Sequence, residues 1–211
     1  MSKTTERRNI KRDALIEKAE KSIADHGLAG LKMRNLASEI GVSLGAIYNL
    51  VEDVDALILH IASRTLAKLD AALNDPNATS SPNHSQNHSP NHCDTLIEIA
   101  MRYRIFVQNN LNLWRALFEH RMPPEKPLPQ WATDDQMHLF RHIITPLRSL
   151  LPDADESEVQ LSAQTLFSAV HGVIVLSLEN KITAVPLHAL DGQIKKLITL
   201  FCKGLIDPPP R

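Results

Sequence analysis

Apolar residues along this chain recur every three to four positions in successive stretches, the period of helices that bury one face. Ile16, Ala19, Ile23 and Ala24 mark a first helix over 8–26, closed by Gly27, a residue favoured just past a helix end. Residues 33–40, MRNLASEI, read as a short second helix broken at Gly41, and Ser43 is placed to cap a third, Leu44 to Leu50. Asp53 is placed to cap a long fourth helix, on which Val54, Leu57, Ile58, Ile61, Thr65 and Leu69 keep the rhythm. The pattern stops over 75–93, DPNATSSPNHSQNHSPNHC, where two copies of SPNH and a related SQNH stand among residues that cannot anchor a core. That segment reads as a solvated linker. The rhythm resumes at Asp94. Leu96, Ile99, Tyr103 and Phe106 mark a fifth helix to Asn110, and Asn112 to His120 a sixth. After the proline-rich RMPPEKPLPQ comes a seventh, Thr133 to Leu151, which Pro146 is expected to kink or end. An eighth runs from Asp155 to Lys181, with Asp153, Asp155 and Glu156 near its dipole-positive start, and a ninth from His188 to Lys203.

Composition narrows the class. With 211 residues, 7 glycines, 4% aromatics and no hairpin signals, the chain suits an all-α fold rather than a β-sandwich. No run approaches the ~18 apolar residues of a membrane span. Residues 1–12 lack the apolar stretch of a secretory signal, so the expectation is a cytoplasmic protein without a membrane partner. The two cysteines, Cys93 and Cys202, form no CxxC and suggest no disulfide framework. A net charge of -1 hides an asymmetry. Residues 1–50 hold nine Lys/Arg against six Asp/Glu, and residues 51–211 hold fourteen against eighteen. A basic head on an acidic body fits a nucleic-acid-binding head.

The most informative stretch is Leu36-Ala37-Ser38-Glu39-Ile40-Gly41-Val42-Ser43-Leu44-Gly45-Ala46-Ile47-Tyr48. Two short helices joined by a tight turn make a helix-turn-helix. Ala37 is small where the helices cross, and Gly41 stands where the turn needs positive φ. Leu36, Ile40, Val42, Ile47 and Leu50 form the apolar set that locks the pair onto the first and fourth helices. The outward face of the third helix is then Leu44, Gly45, Ala46, Tyr48 and Asn49, following the cap Ser43. In a major groove, Gly45 and Ala46 allow close approach, Leu44 or Ala46 meets a thymine methyl, and Tyr48 reaches a phosphate. Arg34 reaches a phosphate or a guanine edge, and Lys11 and Arg12 supply steering phosphate contacts.

Residues 12–73 resemble the N-terminal domain of TetR-family repressors. The likeness rests on Ala19, Gly27, Met33-Arg34, Leu36-Ala37, Gly41-Val42-Ser43, Ile47-Tyr48 and Asp55-Ala56-Leu57. The family usually has an aromatic at Leu50, a phenylalanine at Val51 and a lysine at Val54; its aromatic and lysine commonly touch phosphates. Val170-His171-Gly172 resembles a subclass named for a Trp-His-Gly triplet, with two residues of three matching. The resemblance implies a helix-turn-helix domain over 1–53, a connecting helix over 54–74, the linker over 75–93 and a larger helical ligand-binding and dimerisation domain over 94–207. It implies a repressor released from operator DNA by a small-molecule effector.

Candidate pocket residues are Tyr103, Phe106, Trp114, Phe118, Phe140, Phe167 and His171, since ligand sites are apolar with a few placed polar groups. The ordinary reading of each is a core position. Trp131 stands after the proline-rich loop, to cover an entrance or pack on the surface. The eighth helix, apolar around most of its circumference, and the ninth, with Leu190, Ile194, Leu197, Ile198 and Phe201, would form a four-helix homodimer interface near 155–181 and 188–203. Twofold symmetry then sets the recognition helices one DNA turn apart, ~34 Å, on a palindromic operator.

His84, His88, His92 and Cys93 are metal-ligand types at short spacing, but in a repetitive segment that reads as linker. His138 and His142 share a helix face and could hold zinc with His120 or His171, without an HExxH motif. No metal site and no cofactor are expected. Without P-loop, GxSxG or Rossmann fingerprints, neither is an enzyme. The alternatives are a metal- or redox-responsive regulator, and a helical adaptor that has lost DNA binding.

Overall fold

The computed structural model describes residues 3–75 and 91–206. Within them the chain forms nine α-helices and one 3-10 turn, with no strand among the described residues. The helices are α1 (Lys3–His26), α2 (Met33–Glu39), α3 (Leu44–Ile47), α4 (Val54–Asn74), α5 (His92–Asn109), α6 (Leu111–Glu119), α7 (Gln130–Leu150), α8 (Glu156–Leu178) and α9 (Leu187–Ile206). Two compact units result: residues up to Lys68 with Asn109–Asp135, and Leu69–Gln108 with the residues from Gln136 onward.

The first unit has a core of Leu15, Ile16, Ala19 and Ile23 from α1, Leu36 and Ala37 from α2, and Ile47 from α3. Leu57 and Ile61 of α4 and Leu113 and Ala116 of α6 close it, while Ile40 and Val42 pack at its margin. Leu50 and Val51 are buried there too. Two of the three positions where the chain departs from the family pattern are thus spent on the core, while Val54 is half-buried. The single buried acid on α1, Glu20, is paired with Arg64 (3.0 Å) and Lys68 of α4, which offsets the cost of burying its charge. In the second unit α8 and α9 pack through Val159, Ala163, Leu166, Val170 and Ile174 on one helix and Leu190, Ile194 and Ile198 on the other.

Several helix ends differ from expectation. The first helix begins five residues before the expected Arg8, at Lys3. The third is shorter, ending at Ile47 with a turn over 48–50. A turn at Leu28–Gly30 was not anticipated; Ser22 Oγ donates to the Gly30 carbonyl at 3.0 Å and holds it. The seventh helix starts at Gln130 and passes through Pro146 without ending. Pro146 and Leu147 are both buried, so packing holds the last turn although proline donates no backbone bond. The eighth helix stops at Leu178, short of Lys181, because Asn180 takes a left-handed φ of 53°. The caps follow the chemistry of their side chains. Asp53 accepts from the Ala56 amide at 2.7 Å and Asp155 from the Glu158 amide at 2.9 Å.

One expectation is corrected. α8 is long and apolar enough to cross a membrane by length and composition, with a mean hydropathy of 1.6 over its best window. Serine, glutamine and histidine interrupt any continuous apolar run in it, so counting uninterrupted residues passes it over. Only 28% of that window is buried within the chain, and Leu161 and Leu176 are exposed.

Candidate nucleic-acid interface

Gly41 has φ +66°, and a Cβ there would meet nothing within 4 Å, so the conformation rather than space requires glycine. The turn is closed by the Val42 amide donating to the Ala37 carbonyl at 3.0 Å. Ala37 is 3% exposed at the crossing of α2 and α3. Ser43 Oγ then accepts from the Ala46 amide at 3.2 Å and starts α3. Ile47 points inward at 0% exposure, while Leu44 is 39% and Tyr48 48% exposed. Ser43, Gly45 and Asn49 are exposed and Ala46 is half-buried, so the predicted outward face is exposed except at Ala46. Arg34 on α2 and Lys11 on α1 are exposed as well.

Arg12 is placed differently. It is half-buried, and its Nη2 lies 2.6 Å from His60 Nε2 on α4. Burial first, and the Arg12 charge second, hold the His60 imidazole below its ordinary pKa, so at neutral pH it is a neutral acceptor for the guanidinium. Arg12 is thus engaged through Nη2 within the protein. Trp131 stacks on the same imidazole at 5.1 Å and 9°, which makes it a surface packing residue. Arg8 went unrecognised in the sequence. Its Nε donates to the Asn49 carbonyl, just after α3, at 3.0 Å. The signal was the i,i+4 pairing of Arg8 with Arg12, hidden because the helix was expected to begin at Arg8.

The connection between α6 and α7 grips the start of α4. Lys126 pairs with Asp53, the α4 cap, and with Glu52 at 3.5 Å. The Lys126 hydrogen bond first, then that from the Ala56 amide, hold the Asp53 carboxyl below its usual range. His120 lies 3.5 Å from Asp55, and Ser63 Oγ donates to Asp135 at 2.5 Å.

The predicted pocket residues separate into groups. Four of them meet in the second unit. Tyr103 OH is 2.9 Å from His171 Nδ1. Phe167 is the centre of the ring cluster, 5.9 Å from Tyr103, 5.4 Å from Phe140 and 5.2 Å from His171. Burial lowers the His171 pKa, keeping its imidazole neutral. Phe106 is buried on α5. Trp114 and Phe118 belong to the first unit, where they pack on each other at 5.0 Å, one turn apart on α6.

His84 and His88 lie outside the described residues. His92 and Cys93 form the first turn of α5, and Cys93 Sγ approaches the Ile198 carbonyl at 3.9 Å. The Cys202 thiol faces that of Cys93; burial first, then this contact, pushes Cys202 up to about 12. His142 does not await a metal: its Nε2 is 2.7 Å from Asp70 Oδ1, which Arg141 also meets at 2.8 Å. Among the described residues no group of three or more His, Cys, Asp or Glu is placed to hold a metal ion.

Comparison with known proteins agrees with this geometry. Residues 15–50 match the family model described as bacterial regulatory proteins of the tetR family. Residues 96–200 match that of the tetracyclin repressor-like C-terminal domain. The chain belongs to the TetR family of bacterial DNA-binding regulators. No curated protein sequence matches it. Among solved structures, a protein of unknown function from Rhodococcus sp. RHA1 is 20% identical with a TM-score of 0.69, over 93% of this chain and 95% of that one. BioQ with its natural double-stranded DNA operator is 17% identical with a TM-score of 0.62, over 93% and 98%. A TetR variant from Acinetobacter baumannii AYE in complex with minocycline is 14% identical with a TM-score of 0.61, over 93% and 97%. At these identities the likeness is one of fold.

Proposed function

We infer that this TetR-family regulator is a repressor that binds a palindromic operator as a homodimer and leaves it when a small apolar or amphipathic ligand binds the second unit. The observation that carries the reading is the two-sidedness of α3 and the turn that follows it: Ile47 fully buried, Leu44, Tyr48 and Asn49 turned to solvent. BioQ has been captured with its operator and the Acinetobacter protein with minocycline, which supports duplex DNA and an organic ligand as the two partners. Lys11, Arg34 and Tyr48 are the candidate phosphate or base-edge contacts. Tyr103, Phe140, Phe167 and His171 are the candidate ligand contacts, with the Tyr103–His171 pair as the polar element of an apolar site. The apolar, exposed side of α8 and a groove of about 380 Å³ where Leu161, Phe201 and Leu205 meet suit the helices of a second copy. A regulator of this kind acts on DNA in the cytoplasm and performs no catalysis. Selection from random duplexes by the purified protein is expected to enrich a palindrome that Arg34→Ala and Tyr48→Phe bind more weakly. No enrichment at low salt contradicts the reading and favours an adaptor.

A further inference from the structure

The first twelve residues described, 3–14, form three turns of α1 with no buried side chain among those described. Arg12 and Ala14 are half-buried, and burial begins only at Leu15. A helical extension without a packed face receives little tertiary support, and isolated helices of this length are marginal in water. Two guanidinium contacts hold this one. Arg8 donates to the Asn49 carbonyl at 3.0 Å, and Arg12 meets His60 at 2.6 Å. Arg8 and Arg12, four residues apart, therefore fasten one stripe of the extension beside the end of the recognition helix.

The charge of the head is concentrated on the same segment. Residues 3–14 carry five basic side chains against two acids, Glu6 and Asp13. Residues 15–50, the span matched to the family's DNA-binding domain, carry four basic against four acidic. The basic excess of the first 50 residues thus lies wholly on the extension. Lys3, Arg7 and Lys11 form a second stripe, one residue round from the anchoring arginines, with charges spaced by about 6 Å along the axis. All three are exposed, with no ion pair to another described residue. Meanwhile Leu50 is 8% exposed, within the core, and Val54 carries no charge, so the chain lacks cations or hydroxyls at these places beside the recognition helix.

We propose that the α1 extension is a second DNA-contacting surface, with the Lys3–Arg7–Lys11 stripe laid along the phosphate backbone next to the groove that α3 reads. The partner is duplex DNA through its phosphates, so the surface adds affinity without adding sequence preference. The proposal rests on α3 being the groove-reading helix.

The test compares wild type, Lys3→Gln/Arg7→Gln/Lys11→Gln and, as a charge control farther along the same helix, Lys18→Gln/Lys21→Gln, on the selected duplex and on an unrelated one across a salt series. The triple variant is expected to keep its melting temperature and base preference. Its slope of log affinity against log salt falls by about 0.9 per lost phosphate contact, roughly 3 per protomer, and it binds both duplexes on the order of a hundredfold more weakly per protomer at ~0.15 M salt. A triple variant with wild-type slope and affinity overturns the proposal and leaves the reading of α3 standing. An equal loss in the control pair also overturns it, as an effect of bulk charge. A wild-type protein that binds neither duplex overturns the reading of α3 itself.

Discussion

The α2–α3 turn and the ring cluster of α5, α7 and α8 use similar materials, apolar side chains at helical spacing with a few polar groups among them. Their polar groups face different partners. At α3 Ile47 is packed inward and Tyr48, its C-cap, at 48% exposure, points away from the protein. In the cluster Tyr103 is 7% exposed and its hydroxyl is bonded to His171. An outward surface can meet a large partner without rearrangement, whereas a ligand entering the cluster must displace contacts that already satisfy one another. A ligand shifts a protein between states only by its difference in affinity for them.

The largest expected effect separates the two sides of α3. Ile47→Ala deletes a fully buried side chain and should lower unfolding free energy by about 2–5 kcal/mol in denaturant titrations, whereas Tyr48→Ala should leave stability nearly unchanged and weaken DNA binding. If both variants lost the same stability, the two-sided account of α3 would fail. Next is the turn. Gly41→Ala forces a Cβ into a left-handed φ of +66° with nothing nearby to clash, so the cost is purely conformational, roughly 1–2 kcal/mol. A neutral result would mean that the turn relaxes. In the cluster, Tyr103→Phe removes the hydroxyl from the His171 bond and should cost about 0.5–1.5 kcal/mol while shifting ligand affinity and leaving DNA affinity intact in the absence of ligand. The smallest effect is acid sensitivity. His60 and His171 are lowered from 6.5 in the folded protein, so below that pH the unfolded chain takes up protons first. Their contribution to stability is complete above pH 6.5 and declines as pH falls through it, a Tm decrease of roughly 1–3 °C that His60→Gln with His171→Gln should blunt.

Where one residue's own backbone or cap chemistry decides an outcome, the sequence was readable. Gly41, Ser43, Asp53 and Asp155 each do in the structure what their side chains favour. Helix periodicity likewise located the nine helices of the described residues, and of the inward set Leu36, Ile47 and Leu50 are buried while Ile40 and Val42 are half-buried at the core's margin. Outcomes that depend on a distant partner were not readable. The contact of Arg12 with His60, 48 residues on, has no local signal in the sequence. The partner of His142 was hidden for the same reason, since Asp70 is 72 residues away. That Trp114 and Phe118 pack on each other in the first unit, apart from the other candidate rings, was likewise not visible in the sequence. Pro146 was judged by its lost hydrogen bond alone, without the burial that carries the helix past it.

Hydrogen–deuterium exchange of the purified protein with and without the selected duplex tests most directly that the outward side of the head is the DNA surface. The account predicts slowed exchange over residues 34–49 together with residues 3–12, and little change over α8 in the same complex. Slowed exchange confined to other helices, or none in a complex shown to have formed, would contradict it.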